Sequence, residues 1–536
     1  MTLETVDFKS TGYFSDLICD YLSKKEALSS FYNRYPDVNA FKAQIEEKEG
    51  FTDSHRKVLS EQLSDQYTHL ETSGATLSNI AALAKPNTYT ITTGHQLNLF
   101  TGPLYFLYKI VSVINLCKTL KEAYPQHHFV PVYWMATEDH DFEEINFFNF
   151  NGKKFQWQGP EDETQGGAVG RMSTHHLEEV AALFTAELGP GKFAEELRDL
   201  FKEAYLKHPD LTSATRFLAN ALFAGQGLVI VDGDDPGLKR EFIPYIKEDL
   251  LKNTAYHQVQ GAIEKLQALP ANYNVQVNPR EINLFYLEKG SRDRIIFDGD
   301  YFGLAEGTRK WSESSLMEEV ESHPERFSPN VLLRPLYQEV ILPNLCYIGG
   351  GGELAYWLEL RDFFEASEVP MPMLLLRDSV LMITSKQKGK LDRLHVSVNQ
   401  LFTDRHALIN RKVREISDIP IDFSPEREHL IEQFKRLYEL AEKTDKSFLN
   451  AVKAQEVKQI KGLNKLEKRL LKAQKRKLED HVERLTALHN ELFPNGSLQE
   501  RSSNFSQWYH QYGSGFIELL LQNLDPLDAR FKVITV

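Results

Sequence analysis

Apolar runs alternate with amphipathic stretches from residue 88 onward, as is typical of α/β proteins. TYTITTG (residues 88–94) predicts a strand, Pro103 to Leu120 predict a helix that opens on proline, and FVPVYWMAT (residues 129–137) predicts a second strand. A strand, a helix and a strand in this order favour a right-handed crossover with parallel strands. The runs GLVIVDG, NLCYIGG and PMLLLRDS continue the series. The pattern therefore predicts an α/β fold with a doubly wound core.

Two segments interrupt this alternation. The first contains KKFQWQG and a Gly/Glu/Thr-rich loop, and the second contains the short β-like pieces NVQVN, NLFYLEKG and DRIIFDG. One sheet with two insertions explains the order better than separate domains in tandem. The predicted units are a core with an N-terminal helical lead-in (1–148), a first insertion (149–209), core (210–257), a second, β-rich insertion (258–329) and core (330–383).

The composition shifts to Leu, Lys, Glu, Arg and Gln between residues 384 and 493. Leu463, Leu466, Leu470 and Ala473 follow the spacing of a helix–helix seam, which slips around Lys477 and Leu478. We predict a long antiparallel coiled coil over 384–493 and a C-terminal segment, 494–536, that packs back on the core. The basic run KGLNKLEKRLLKAQKRK is read as the solvated face of that coiled coil, and a phosphate- or nucleic-acid-binding arm is the less favoured alternative.

Bulk properties limit the classes of function. A chain of 536 residues with 42% hydrophobic content is too long for one core, and its net charge of -14 gives no general reason to bind nucleic acid. Cys19, Cys117 and Cys346 have no paired spacing, so we expect free, buried thiols in a reducing cytoplasm. No signal peptide and no long apolar run is visible, so we expect a cytoplasmic protein with no membrane contact and a small-molecule substrate.

The loop after the first predicted strand is a candidate anion site. Backbone N–H groups freed by glycine, together with the dipole of the following helix, could hold a phosphate or carboxylate. A tight strand-to-helix connection is an equally good interpretation of this spacing. Lys109, two turns into the helix, could reach an anion, but we expect it to be exposed. The candidate residues are Gly94, His95, Gln96, Thr101, Gly102 and Lys109.

Acidic residues follow the second predicted strand. Glu138, Asp139, His140 and Asp141 could provide a histidine base supported by carboxylates, or bind a divalent metal. A contiguous cluster cannot place every side chain on one ion, so we predict no metal site. The competing interpretation is an acidic helix N-terminus that Asp139 or Asp141 caps.

A glycine-rich turn forms a third candidate site. Four consecutive glycines cost conformational entropy on ordering, so we interpret them as room for a ligand rather than as a simple turn. Arg334 and Gln338 are candidates for holding a carboxylate, against ordinary ion pairing. The turn itself supplies Gly349, Gly350, Gly351, Gly352, Glu353 and Tyr356.

Three stretches together resemble the bacillithiol biosynthesis cysteine-adding enzymes, also called cysteine ligases. These are TGHQLNLFTGPLYFLYK, EDHDFEEIN, and SPNVLLRPLYQEVILPNLCYIGGGGELAYWLEL. The likeness covers nearly the whole chain, although the family more often has TGQQ and a proline in the glycine turn. It implies a Rossmann-like core with two connecting-peptide insertions, as in class I aminoacyl-tRNA synthetases and nucleotidyltransferases. It also implies a coiled coil that forms a homodimer.

The resemblance further implies the last step of bacillithiol biosynthesis, in which the cysteine carboxyl is joined to the amine of glucosaminyl malate. Our hypothesis is that ATP or another nucleotide activates cysteine as an acyl-adenylate or acyl-phosphate beside the first loop. His140 or a neighbouring carboxylate then accepts a proton from the amine. Alternatives from other classes are a nucleotide-binding coiled-coil scaffold without turnover and a nucleotidyltransferase that acts on another small molecule.

Overall fold

A five-stranded, fully parallel sheet forms the centre of the computed structural model, which describes residues 1–160 and 166–536. Its strands, in spatial order, are Met373–Leu376, Asn344–Gly349, Thr88–His95, His128–Met135 and Val229–Asp232. Numbered along the chain this order is 5-4-1-2-3, which is the Rossmann order 3-2-1-4-5 read from the opposite edge. The predicted doubly wound core is therefore confirmed.

The strand order reverses between Thr88–His95 and Asn344–Gly349. Loops that leave the carboxyl ends of these two neighbours run in opposite directions, which opens a crevice between them. The helices that connect the core strands are Tyr105–Ala123, Leu211–Phe223, Pro236–Lys252, Leu333–Ile341, Gly351–Trp357 and Arg361–Ala366.

Side chains of the sheet alternate between two apolar clusters. Ile91 and Leu345 pack on one face with Leu116 of helix Tyr105–Ala123, whereas Val130 and Val132 pack in the larger cluster on the other face. Burial on both faces explains why these strands read as continuous apolar runs. All three cysteines are buried and unpaired, as predicted.

The first insertion lies between strands His128–Met135 and Val229–Asp232. It contains an antiparallel hairpin of Phe147–Phe150 with Lys153–Gln156, followed by helices Leu177–Leu188 and Lys192–Leu206. The Gly/Glu/Thr-rich loop predicted here falls partly on residues 161–165, which lie outside the described residues.

The second insertion carries an antiparallel sheet. Its strands, in spatial order, are Lys310–Trp311, Phe302–Leu304, Ser291–Phe297, Leu284–Glu288 and Phe327–Pro329. Helix Thr254–Gln267 precedes the sheet along the chain, and helix Glu313–Ser322 lies in the chain between strands Lys310–Trp311 and Phe327–Pro329. The strand predicted at residues 274–278 is wrong, because this stretch is irregular and the backbone N–H of Gln276 donates to the Glu359 carboxylate at 3.0 Å.

A short mixed sheet joins distant parts of the chain. Strand Phe531–Thr535 lies between Thr2–Val6, to which it is antiparallel, and Val380–Ile383, to which it is parallel. The sequence interpretation missed the strand Thr2–Val6. The lead-in that follows it is helical, with helices Phe8–Thr11, Asp16–Leu22, Phe41–Lys48, Asp53–Gln66 and Gly74–Ala82.

The C-terminal part contains a helical hairpin of Ser424–Ala441 against Lys446–Lys477. Phe434, Ala441 and Val452 form its small buried core. The second helix ends at Leu478, where the apolar spacing slips. Leu466, predicted to lie in the seam, is 51% exposed. The other helices of this part are Ser385–Arg393, Val398–Leu401, Arg405–Ile416, Glu479–Leu492, Gln499–Ser502, Ser506–Tyr512 and Gly515–Asn523.

Candidate active site

A cleft of about 690 Å³ opens at the carboxyl ends of the core strands, where the strand order reverses. The antiparallel sheet of the second insertion forms its opposite wall through residues such as Asn283, Phe285 and Arg292. Of the residues predicted from sequence, those that line the cleft are Gly94, His95, Gln96, Lys109, Glu138, Asp139, His140, Arg334, Gly350, Gly351, Gly352, Glu353 and Tyr356.

Five predicted residues are not part of the cleft lining. Asp141 accepts from the backbone N–H of Glu144 and caps helix Phe142–Ile145, which is the capping alternative. Gln338 lies beneath the cleft and accepts from Arg334 Nη1 at 3.1 Å. Gly349 is the last residue of its strand. Thr101 and Gly102 belong to a turn under the first loop.

The floor of the cleft, which we define as Gly94, His95, Lys109, Glu353 and Arg377, is organised around one carboxylate. Glu353 accepts from Lys109 Nζ at 2.6 Å, from Tyr347 Oη at 2.7 Å and from the backbone N–H of Gly350 at 2.8 Å. Burial would raise the pKa of Glu353, but Lys109 and these hydrogen bonds lower it to about 2. Glu353 is therefore ionised, and both of its carboxylate oxygens accept hydrogen bonds from groups of the protein.

Lys109 is buried, which contradicts the expected exposure. Its ammonium group bonds the Gly94 carbonyl at 2.7 Å in addition to Glu353. Helix Tyr105–Ala123 is covered on nearly all sides, so Lys109, about one turn into it, is buried at the floor of the cleft. Burial lowers the pKa of Lys109, and Glu353 opposes this effect.

A strained turn fixes His95 in the floor. Phe100 and Thr101 have positive φ angles of 49° and 66°, and their turn hydrogen-bonds His95 through the Thr101 backbone. Asn504 supports the turn by donating to the carbonyls of Phe100 and Gly102 at 2.7 and 2.6 Å. Burial and the charge of Lys109 lower the pKa of His95 to about 3, so the ring is neutral.

Gly102 is the position in this turn where only glycine fits. Its φ is +61°, and a Cβ there would lie 2.5 Å from the Asn98 Cβ. Thr101 and Gly102 therefore shape the turn that packs against His95, and they do not line the cleft.

The rim of the cleft, which we define as Glu138, Asp139, His140 and Arg292, is more open than the floor. Asp139 accepts from Gln96 Nε2 at 2.7 Å and from the backbone N–H of His140 at 2.8 Å. Burial would raise the pKa of Asp139, but hydrogen bonds from His140 and Gln96 lower it to about 2. Asp139 is therefore a permanent acceptor that orients its neighbours.

Arg292 sets the hydrogen-bonding state of His140. Arg292 Nη1 lies 3.1 Å from His140 Nδ1, closer than Asp139 Oδ1 at 3.6 Å. Guanidinium groups only donate, so Nδ1 is the acceptor and the proton of the neutral ring is on Nε2. Arg292 is itself held by Ser328 Oγ and the Pro329 carbonyl, both at 3.1 Å, and it stacks on Phe285.

Glu138 is engaged in an ion pair. Lys239, which is fully buried, bonds the Glu138 carboxylate and donates to the Phe327 carbonyl at 2.6 Å. This pair ties the carboxyl end of a core strand to the second insertion. Glu138 lines the cleft but is less free to move a proton than sequence alone suggested.

Sequence reasoning missed several cationic residues of the cleft. Arg377 directly follows the last core strand, so the strand-end rule could have found it. Arg280, Arg292 and Arg294 come from the second insertion, and no motif marks them. Arg501 comes from the C-terminal segment.

The cleft is strongly cationic in a chain whose net charge is -14. Lys109 and six arginines line it, whereas Glu138, Asp139 and Glu353 are the acidic residues among its lining. The positive potential of such a cleft raises the local concentration of anions, although the protein as a whole is negatively charged. Within residues 1–160 and 166–536, no group of three or more His, Cys, Asp or Glu is placed to hold a metal ion, and no helix there is long and apolar enough to cross a membrane.

Fold and site together define a Rossmann-like α/β protein with an anion-binding cleft at its topological switch point. Residues 1–378 match the family model described as the N-terminal Rossmann-like domain of bacillithiol biosynthesis BshC, and residues 380–536 match its C-terminal coiled-coil domain. The chain belongs to this family.

Curated relatives agree with this assignment. Proteins named "Putative cysteine ligase BshC" from Christiangramia forsetii and Flavobacterium johnsoniae are 57% and 55% identical to the chain. Both alignments cover 100% of this chain, and 99% and 100% of those proteins. The protein of that name from Bacillus mycoides is 28% identical over 97% of each chain. The predicted family, fold class and enzyme class, a ligase, are thereby confirmed.

Proposed function

We propose that the protein joins the carboxyl group of cysteine to the amine of glucosaminyl malate, as the last step of bacillithiol biosynthesis in the cytoplasm. The observation that carries the proposal is the cationic cleft at the switch point, in a member of a family whose curated relatives are named cysteine ligases. Malate carries two carboxylates, and an activating nucleotide carries phosphates. Seven cationic side chains suit such substrates better than a neutral ligand.

A carboxylate does not form an amide with a free amine unless it is activated. In the proposed reaction, cysteine attacks ATP to give an acyl-adenylate with release of pyrophosphate, or an acyl-phosphate with release of ADP. The first loop, with Gly94, His95 and Gln96, lies beside this step. The fixed N–H donors of Arg334 and Arg377 stabilise charge on the transferring group because they need no reorganisation.

The amine of the acceptor then attacks the acyl carbon and loses a proton. His140 on the rim is the proposed proton acceptor, and Asp139 holds its backbone N–H. The lone pair that a base needs is on Nδ1, which Arg292 occupies. The mechanism therefore requires Arg292 to release Nδ1, and the carboxylates of an anionic acceptor would attract the guanidinium group.

The direct test is to incubate the purified protein with cysteine, glucosaminyl malate and ATP and to follow all products by mass spectrometry. We expect the amide product, with AMP if the intermediate is an adenylate or ADP if it is an acyl-phosphate. Product formed without nucleotide consumption would contradict the activation step but would still support the joining of cysteine to glucosaminyl malate. Pyrophosphate release without cysteine would favour the nucleotidyltransferase, and nucleotide binding without product would favour the scaffold.

We also propose that two copies of the chain pair through the helical hairpin. Leu440, Phe448 and Leu466 are 56%, 45% and 51% exposed there, which is unusual for residues of a coiled coil. Sedimentation of the double variant Leu440→Glu/Leu466→Glu should show monomers where the unmodified protein forms dimers. Leu183→Glu, at a 64% exposed leucine outside the hairpin, is the matched control. A double variant that remains dimeric would contradict the proposal.

A further inference from the structure

Three buried nitrogen atoms around the floor of the cleft lack a hydrogen-bond partner in the described part of the chain. They are Arg377 Nε, Arg334 Nη2 and His95 Nε2. Arg377 and His95 are 4% and 7% exposed, and all three residues line the cleft. An unpaired buried polar group is unfavourable, and three such atoms that line one cleft suggest a ligand there.

Tyr356 lies close enough to interact with Arg334, but the groups of the floor do not supply a hydrogen-bond partner to any of the three nitrogen atoms. Glu353 accepts from Lys109, Tyr347 and the Gly350 N–H, and no hydrogen bond joins it to any of the three free nitrogen atoms. Arg377 uses Nη1 for the Asp378 carbonyl at 2.8 Å and Nη2 for Glu500 at 2.7 Å. These contacts hold the guanidinium group rigidly and leave Nε as its free donor.

Two glycines keep the free donors accessible. A Cβ at Gly350 would lie 3.3 Å from Glu353 Oε2 and 3.8 Å from Arg377 Nε. A Cβ at Gly94 would lie 3.2 Å from Tyr347 Oη and 3.7 Å from Arg334 Nη1, the nitrogen bonded to the same carbon as the free Nη2. The backbone of Gly350, with φ -76° and ψ 168°, suits any residue, so glycine is not needed there for conformation. What glycine provides at this position is space beside a guanidinium group.

His95 adds an acceptor to the two donors. Its Nε2 has no partner, so the ring bonds the Thr101 backbone through Nδ1. A carbonyl can only accept, so Nδ1 carries the proton and Nε2 presents a lone pair. An α-amino acid matches this combination, because a carboxylate accepts from arginines and an ammonium group donates to an imidazole.

We propose that the floor between Gly94 and Gly350 is a subsite for one anionic group, held by Arg377 Nε and Arg334 Nη2, with His95 Nε2 accepting from the same ligand. This inference rests on the proposed function and assigns the floor to the amino-acid substrate, which leaves the rim to the amine. A nucleotide phosphate has the same anionic oxygens, so the test must separate these two sources.

The experiment measures binding of L-cysteine and of ATP, each alone, to the full-length protein by calorimetry. Gly350→Ala places a methyl group beside Arg377 Nε without backbone strain, and Arg334→Lys removes the second donor. Gly389→Ala, in a helix outside the cleft and with open space around its Cβ, is the control. Thermal unfolding of every variant identifies any that fails to fold.

We expect Gly350→Ala and Arg334→Lys to weaken cysteine binding about tenfold or more, with ATP binding unchanged. Loss of ATP binding alone would support the subsite and assign it to a phosphate. Unchanged binding of both ligands in folded variants would overturn the proposal. Because binding is measured without turnover, a protein that makes no amide but responds in this way would refute the proposed function and retain the subsite.

Discussion

The floor and the rim of the cleft use charged groups in different ways. In the floor, Lys109 and Glu353 are paired and surrounded by further hydrogen bonds, and helices and strands of the core supply nearly all of the groups. On the rim, His140 has 47% of its side chain exposed and bonds an arginine from an insertion. The difference is that core elements hold the groups of the floor in fixed positions, whereas an insertion holds the residue that we propose as the base.

The largest expected effect is on the rim and concerns rate alone. His140→Asn should lower turnover about 10²–10⁴-fold, the range for loss of a general base. Its free energy of unfolding should change by no more than about 0.5 kcal/mol, because the side chain is half exposed. Steady-state kinetics and urea unfolding measure the two quantities. His69→Asn, at an exposed histidine outside the cleft, is the control, and near-normal turnover of His140→Asn would remove His140 from the mechanism.

The next effect is on the floor and concerns stability. Lys109→Met leaves the Glu353 carboxylate without its cation and should cost about 3 kcal/mol in urea unfolding, at the lower end for a broken buried pair. Tyr347 and Gly350 still hold Glu353, which limits the loss. Lys247→Met breaks an ion pair with 31% and 58% exposed side chains and should cost less than about 1 kcal/mol. Equal losses in both variants would contradict the claim that the buried pair of the floor contributes more than an exposed ion pair.

Arg292→Lys tests whether the insertion controls the rim. Lysine cannot contact Ser328, Pro329 and His140 together, so we expect turnover to fall about tenfold. The KM for the acceptor should change less than turnover, because Arg292 is proposed to act through His140. Arg309→Lys, in the same insertion but outside the cleft lining, should leave both quantities unchanged. A rise in KM with unchanged turnover would mean that Arg292 acts on substrate binding instead.

The smallest effect concerns the segment 273–283, which leads into the rim. Asp249 accepts from the Asn283 backbone N–H at 2.7 Å, and burial raises the pKa of Asp249 to about 7. The folded protein keeps this proton after the unfolded chain has lost it, so stability falls as pH rises from about 4 to 7. One such group contributes a loss of about 1 kcal/mol between pH 6 and 7.

Asp249→Asn should remove that part of the pH dependence, as measured by urea unfolding at pH 6, 7 and 8. Glu359, which holds Gln276 and whose pKa burial also raises to about 7, should preserve a similar slope in the variant. Glu264→Gln, at an exposed residue of helix Thr254–Gln267, should leave the slope unchanged. An identical pH dependence in Asp249→Asn and the unmodified protein would contradict this account.

Much of the floor could be predicted from sequence, because the carboxyl ends of parallel strands meet at one edge. Gly94, His95 and Glu353 follow strands that read as apolar runs, and this rule brings them together. The burial of Lys109 could not be predicted, because the helical pattern does not reveal how many other elements cover that helix. The role of Arg292 could not be predicted either, since its contact with His140 joins residues 152 apart and follows no local signal.

The coiled coil also shows that a sequence pattern does not predict which elements pack together. The spacing predicts a long helix and the place where it slips, since both depend on local periodicity. It does not say which leucines face the neighbouring helix of the same chain, and Leu466 is exposed although it fits the seam. A pattern identifies an apolar stripe, whereas the packing partner is decided by the rest of the fold.

The contact from Asn504 to the turn at Phe100 and Gly102 joins residues more than 400 positions apart. During synthesis, the core strands and the first loop emerge from the ribosome long before this asparagine does. Until then the strained turn that packs against His95 lacks its two supporting hydrogen bonds. The pocket is therefore assembled late in translation, so a nascent or truncated chain would not present a finished site to metabolites.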